Sequence, residues 1–319
     1  MTTTILVLSV DEAPLLESCL PAALAQGTGA RVVVIDNACT DGTVSLCERL
    51  GVTLVRLRER RSYAAAINAG IQGTDGDAVL LLNADCVLDP GFLEAAVVRL
   101  YRDGVGSVAP RLIRATGAEV AERLDVLDTA AMFVDRRRKN GLVGHGTPRT
   151  GYPRSAEVFG GDGACVLYRR EVLKACAVGN EVFDEDMELW ASDVDLAWRA
   201  QLLGWTCVYE PGAIAWHQRF YSPTTRAALP EHHRRLQFRN RYLMMLKNDT
   251  PAGVLRDLPW IAVYEVLALG HVLLRERHLL GGYRDAWRLA GRARERRRAI
   301  QPRRAVGRRV PFGLRPPPS

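Results

Sequence analysis

The chain is short of lysine, of paired cysteines and of long uncharged apolar runs, and each shortage narrows what it can be. Lysine occurs only at Lys139, Lys174 and Lys247 among 43 basic residues, an arginine bias that reflects genome composition and carries little functional weight. The seven cysteines (19, 39, 47, 86, 165, 176 and 207) are odd in number, scattered and without a C-x-x-C pair. That argues against a zinc ribbon or a disulfide scaffold and fits a reducing cytoplasm. The opening MTTTILVLSVDEAP has no charged leader and an apolar run of strand length, so it reads as a first strand rather than a signal peptide. The longest apolar stretch, Leu258–Leu274, is 17 residues broken by Glu265 and His271. A span needs about 20 apolar residues, so an interfacial or buried helix is the better expectation. Glycine and proline, 28 and 16 residues, are too few for a collagen-like, linker-like or disordered chain.

What is present is a globular composition: 319 residues, 48% apolar and 25% charged, enough for one large domain with an appendage or for two small ones. The net charge of +7 is unevenly placed, because Arg275–Ser319 holds 14 arginines against three acids. That tail carries +11 and leaves the body at −4. A basic tail suits anionic lipid or nucleic acid, and a mildly acidic body argues against a chain built to coat nucleic acid, so no nucleic-acid partner is expected. A merely solvated tail is the plain alternative.

Along the first 110 residues, strand-like runs at Thr4–Val10, Arg31–Ile35, Val52–Leu57, Ala78–Leu82 and Gly106–Ala109 alternate with helix-period segments at about 13–25, 42–50, 63–72 and 90–102. Such alternation predicts right-handed βαβ crossovers, an α/β fold and a mostly parallel central sheet flanked by helices. From about 111 to 153 the periodicity fails around Arg136-Arg137-Arg138-Lys139, which predicts a long mobile excursion. Order resumes with Gly160–Gly163 leading into a strand and helix, then an acidic segment ending in Asp193-Val194-Asp195, then a strand pair around TCVYEP and AIAWH. Beyond about Phe220 the pattern is all helical and ends in PFGLRPPPS, expected to fray.

Ligands of open parallel sheets sit beyond the carboxyl ends of the strands. Asp36-Asn37 ends the second run and Asn83-Ala84-Asp85 the fourth. No G-x-G-x-x-G or G-x-x-x-x-G-K-[ST] follows the first, so phosphates there would need a carboxylate-held divalent cation.

The pieces VVVIDNACTDGT, YAAAINAGI, AVLLLNADCVLDPGFLEA, GGDGACVLYRREVL, FDEDMELWASDVDLAWRAQLLGW, AWH and RNRYLMMLKN, in that order over about residues 3–248, resemble a family 2 glycosyltransferase with the GT-A fold. The similarity is greatest to the rhamnosyltransferase-like branch. It implies a GT-A domain over 1–220 and a helical C-terminal region with an Arg-rich tail over 221–319. By this resemblance Asp36 accepts a hydrogen bond from the nucleobase, with a turn cap as the alternative. Asn68 lies near the nucleotide, or else serves the helix surface. Asn83 stands where the family's D-x-D motif has its first carboxylate, and Asp85 binds Mn²⁺ or Mg²⁺ at the diphosphate, with His217 completing the metal shell or acting structurally. Asp193 is the catalytic base, in a motif where the family's glutamate has become Ser192. Capping of the following helix by Ser192, with Asp193 and Asp195 in its first turn, is the alternative. Gly161, Asp162 and Gly163 match a small-residue acceptor loop, and Trp190 either stacks on a sugar or belongs to the core. Arg61, with Arg60, either reaches the diphosphate or is solvated.

The resemblance implies an inverting transferase using a dTDP-, UDP- or GDP-sugar, with rhamnose leading, and a surface-glycan or lipid-linked acceptor. The rivals are a non-catalytic GT-A module that scaffolds an assembly, and a nucleotidyltransferase. The expected location is cytoplasmic, with peripheral contact on the inner face of the membrane through 251–319. The alternative use of that region is a homo-oligomer.

Overall fold

The apolar runs become parallel strands because both of their faces find helices to cover them. The computed structural model describes residues 2–27, 29–219, 227–307 and 309–316. Strands β1 (Thr3–Ser9), β2 (Ala30–Asp36), β3 (Thr53–Arg56) and β4 (Ala78–Asn83) alternate with helices α1 (Ala13–Leu24), α2 (Thr43–Leu50) and α3 (Tyr63–Gln72). β1 pairs in parallel with β2 and β4, and β2 with β3. Alternate residues serve two cores: Ile5, Val7, Val34 and Leu80 pack with α1 and α2, while Leu6, Val33, Ile35 and Leu81 pack with α3. This half follows the pattern the sequence sets out.

After β4 come β5 (Cys86–Leu88), α4 (Phe92–Leu100), β6 (Val105–Ala115), β7 (Arg123–Thr129), β8 (Ala131–Val134), β9 (Asn140–Val143) and β10 (Ala156–Val158). Then follow β11 (Cys165–Arg169), α5 (Arg170–Cys176), α6 (Ser192–Leu202) and β12 (Thr206–His217). The sheet runs β10-β12-β6-β11-β4-β1-β2-β3, with β5 branching from β12 and β7 from β6. β11 is antiparallel to both neighbours, which brings the loop before it to the carboxyl end of β4. The result is an α/β fold of GT-A type, a mostly parallel central sheet flanked by helices, followed by C-terminal helices α7 (Glu231–Asn248), α8 (Pro251–Leu274) and α9 (Leu280–Ile300).

Three expectations need correction. The 111–153 segment is built of strands with a core of its own, including Leu127, Ala131 and Val143. Its basic run is the β8–β9 turn, and Arg138 there is fully buried, bonded to Asp249 and Asp257 at 2.6 and 2.8 Å. Those partners lie more than a hundred positions away, so the run looks solvated in one dimension. The pair around TCVYEP and AIAWH is a single strand, because Pro211-Gly212 is absorbed in a register shift between Glu210 and Ile214. The terminal segment docks through residue 316: Phe312 lies against Trp198 and Phe159, and the Gly313 N–H donates to the Val134 carbonyl at 2.7 Å. The start of the expected helical region, 220–226, lies outside the described residues.

Candidate active site

The parallel strands β1, β2 and β4 end together at Ser9, Asp36 and Asn83. Asp36 is buried; one carboxylate oxygen accepts the Cys39 N–H at 2.8 Å and the other lies 3.3 Å from Arg56 Nε. Turn capping is therefore real at Asp36 and leaves a strand-end carboxylate in place. Asn37 exchanges hydrogen bonds of 2.8 and 3.0 Å with the Arg61 backbone, fixing the Arg60-Arg61 segment beside it. Arg60 pairs with Asp11 at 2.6 Å, and the Arg61 side chain is exposed. Asn68 is buried and fully engaged within the chain. Its carboxamide bonds both the N–H and the carbonyl of Phe183 at 2.8 Å and Glu185 at 3.0 Å, tying α3 to the acidic segment.

Asp85 occupies the tight turn after Asn83, and pairing of β5 with β12 sets Cys86 opposite His217. His217 Nε2 thereby lies 3.4 Å from Asp85 Oδ2, while Nδ1 bonds Asp128 Oδ2 at 2.8 Å. Burial works against the imidazolium, but Asp128 and Asp85 on its two sides outweigh it and hold the pKa up at about 9. Asp85, Cys86 and His217 offer donor atoms within 4.8 Å of one another. Burial, and then Asp85, push the Cys86 thiol well above its ordinary pKa, and His217 would give up its proton to a metal, which leaves one oxygen and one nitrogen as donors. A carboxylate and an imidazole, with coordination positions left for phosphate oxygens and water, suit Mn²⁺ or Mg²⁺. A carboxylate on the far nitrogen of a metal-binding histidine fixes its tautomer and ring direction, and Asp128 stands in that relation to His217.

Asp193 is the second residue of α6. The helix is capped by Ala191 in the left-handed conformation at φ 57°, and buried Ser192 sits one residue past the cap. Ser192 is therefore not the N-cap residue, and Ala191 in that place makes no side-chain cap. One Asp193 oxygen accepts the Gly163 N–H at 3.0 Å and the other its neighbour Val194 N–H at 2.8 Å. Burial first, and then the Asp162 charge, raise its pKa to about 6 against the lowering pull of these amides. A Cβ on Gly163 would stand 3.1 Å from Asp193 Oδ2, so this glycine gives the carboxylate room. Gly161 also meets a packing demand, since a Cβ there would meet Val166 at 2.7 Å. Asp162 is held by the Ala164 N–H at 2.9 Å and by Arg219 at 2.6 Å.

Two residues on, Asp195 is fully buried between Arg199 and Lys247, each at 3.0 Å, with Asn248 donating at 2.7 Å. Desolvation alone would raise its pKa; Lys247 and Arg199 overcome that and bring it down to about 2. Trp190 is half-buried against His233 of α7. Glu188, Trp190 and Ala191 all have positive φ, a costly conformation for side chains with a Cβ. Asn240 of α7 holds this turn, donating to the carbonyls of Met187, Leu189 and Trp190 at 2.8–2.9 Å, and Arg239 pairs with Glu188 at 2.8 Å.

Sequence reasoning quoted the RNRYLMMLKN piece without giving Arg239, Asn240 or Lys247 a task. It missed Asp128 and Arg219 altogether. Arg219 bonds both oxygens of Asp128 at 2.7 and 2.9 Å as well as Asp162, so it joins the Asp85–His217 pair to the loop beneath Asp193.

The model of glycosyl transferase family 2 matches residues 4–176, more than half of the chain. The chain belongs to this family. An uncharacterised glycosyltransferase of Mycobacterium tuberculosis is 30% identical over 155 residues, covering 43% of this chain and 70% of that protein. A poly-β-1,6-N-acetyl-D-glucosamine synthase of Staphylococcus aureus is 24% identical over 67% of this chain, and the match spans 49% of the synthase. Among solved structures, residues 1–349 of S. aureus TarS with UDP-GlcNAc align at a TM-score of 0.60 and 15% identity, over 95% of this chain and 91% of that one. GalNAc-T7 with UDP, GalNAc and Mn²⁺ aligns at 0.61 and 13% identity, over 77% and 48%. These structural likenesses establish the GT-A fold.

Proposed function

We propose that this family 2 glycosyltransferase inverts configuration as it moves a sugar from a nucleoside diphosphate to a hydroxyl of a surface-glycan or lipid-linked acceptor, in a metal-dependent reaction. The observation that carries the proposal is the environment of Asp193: a half-buried carboxylate raised to about 6, held by two amides, at the sheet end shared with Asp36 and the Asp85–His217 pair. A base with that pKa is ionised at neutral pH and basic enough to take a proton. The acceptor hydroxyl gives its proton to Asp193 as its oxygen bonds the anomeric carbon, and the bond to the diphosphate oxygen breaks on the opposite face. Asp85 and His217 would hold Mn²⁺ or Mg²⁺, which supplies positive charge to the departing diphosphate. Asp36 would bind the nucleobase. Gly161, Asp162, Gly163, Trp190 and Ser192 would line the acceptor side, with Asn83 and Arg61 toward the nucleotide.

Rhamnose from dTDP-L-rhamnose is the donor the sequence resemblance favours, followed by UDP- and GDP-sugars. The enzyme would work in the cytoplasm, touching the inner face of the membrane through 251–319, with self-association as the other use of that region. Asn83 and Ser192, where the family has carboxylates, favour a second reading as a non-catalytic module that binds nucleotide-sugar or glycan. Hydrolysis and transfer across a panel of nucleotide-sugars, with and without EDTA, separate the two. Turnover of one donor, lost in chelator, is expected; tight binding without turnover of any donor would select the module.

A further inference from the structure

Helix α8 is built inside out. In a surface helix the apolar stripe faces the body and the polar one faces water. Here Asp257 is wholly buried and bonds Arg136, Arg138 and Arg256, each at 2.8 Å. Glu265 also turns inward, to Arg241 at 2.6 Å and the Tyr242 hydroxyl at 2.7 Å. Ile261 and Val272 complete the inner line. The outer face is mostly apolar: Leu255 is 74% exposed, Val266 72% and Leu274 80%, with Leu258, Val263 and Leu267 between them, and Arg256 and His271 are its exposed polar residues. By length and composition the helix could cross a membrane. Its inner line, anchored from Asp257 to Val272, holds it along the body instead.

Cations border this face. Arg294 and Arg297 of α9 line one groove with Leu255 and Leu258. Arg284, Trp287, Arg294 and Arg298 recur at helical spacing on α9 and are exposed, Trp287 to 80%. Trp260 is exposed on α8 itself, with the Arg136 guanidinium 3.5 Å over its ring. Other arginines of the basic tail turn to the acidic segment: buried Arg296 pairs with Glu181 at 2.7 Å, and exposed Arg292 with Asp186 at 2.8 Å. The tail is thus divided between arginines that hold the acidic segment and an exposed set, of which Arg294 reaches the groove beside α8.

We infer that α8 lies flat on an anionic lipid bilayer, its apolar face at the boundary of headgroups and acyl chains, with the outer arginines of α9 on the headgroups. Charge decides the occupant. A two-fold contact between copies would set this arginine-bordered face against itself, whereas anionic headgroups complement it. Tryptophan at the rim and an apolar helix beside cations are the paired signals that stable peripheral attachment requires. The docked face would stand one helix away from the base, because α7 holds the turn before α6 with Arg239 and Asn240 and holds α8 with Arg241 and Tyr242. This deepens the membrane contact in the proposed function without depending on the transfer chemistry.

The test is sedimentation of the full chain with phosphatidylcholine vesicles, with and without phosphatidylglycerol. Binding should require phosphatidylglycerol and weaken with salt. Val266→Glu should lower it by at least about tenfold, since burial of such a side chain is worth more than one decade. The double change Arg294→Glu and Arg298→Glu should reduce binding to the phosphatidylcholine level. Nucleoside-diphosphate affinity, measured without lipid, should be unchanged in both, so a failed membrane contact and a failed transferase assignment give different results. Brominated lipid should quench tryptophan fluorescence of the unaltered chain, a readout that survives if a variant does not fold. Absent or phosphatidylglycerol-independent binding, no quenching, or undiminished binding of Val266→Glu would overturn the inference. Self-association abolished by Val266→Glu in a chain that ignores vesicles would also overturn it and assign the face to a second copy.

Discussion

The two carboxylates in the first turn of α6 sit in opposite surroundings, and the contrast between their two regions explains why only one suits proton transfer. Above the turn, Asp193 meets another carboxylate and two backbone amides, and its pKa rises to about 6. Below it, Asp195 meets Lys247, Arg199 and Asn248, and its pKa falls to about 2. One residue type, two positions apart, is held near neutrality in one place and made a structural counter-ion in the other. The upper region keeps a proton acceptor near neutrality, and the lower region spends its charge on holding α6 to α7.

The sharpest way to break the contrast is Asp193→Asn, which keeps the shape and removes the basicity. Turnover should fall by about 10²–10⁴ while nucleoside-diphosphate affinity stays within error; near-normal transfer would make Asp162 the candidate. Asp195→Ala should act on the fold, since it leaves Arg199 buried without its anion and Lys247 with Asp184 alone. Breaking such a group costs about 3–5 kcal/mol, read as a lower urea midpoint. Its pH signature follows from the lowered pKa. The stability due to Asp195 is complete above the unfolded value near 3.8 and is lost as pH falls through about 2, so the gap between the two proteins should close in strong acid.

A smaller effect is expected from Asp128→Asn, which leaves a hydrogen bond on His217 but removes the charge that orients it. Mn²⁺ affinity in the presence of nucleoside diphosphate should weaken about 10- to 100-fold, measured by calorimetry. An unchanged affinity would remove His217 from the metal shell.

How much of this was legible in the sequence depended on distance along the chain. The βαβ half could be read because VVVI and AVLLL are apolar on both faces, as covered strands must be. Asp36, Asp85 and Asp193 stood in motifs at strand or helix ends, where ligands gather. Asp128 gave no signal, because β7 pairs with β6 through two register shifts and the period-two pattern is broken. The run holding Arg138 read as a mobile excursion because its anions, Asp249 and Asp257, lie on other elements. The inverted polarity of α8 was hidden for the same reason: Glu265 reads as an interruption of an apolar run until Arg241 is seen opposite it. Local pattern reports faces and ends of elements; pairing across a hundred residues does not appear in it.

The most direct test of the central claim is the pH dependence of kcat/KM for transfer, in the unaltered chain and in Asp162→Asn. Asp193 must be ionised to act, so activity should rise with pH through an acid limb near 6. Tyr63 and Arg219 also face this region, but Tyr63 is raised beyond its ordinary value and Arg219 stays charged, so neither titrates there. Removing the Asp162 charge takes away the repulsion and leaves Arg219 less neutralised, and both changes move the limb to lower pH. An acid limb at ordinary carboxylate values, or one near 6 that Asp162→Asn leaves in place, would contradict Asp193 as the base.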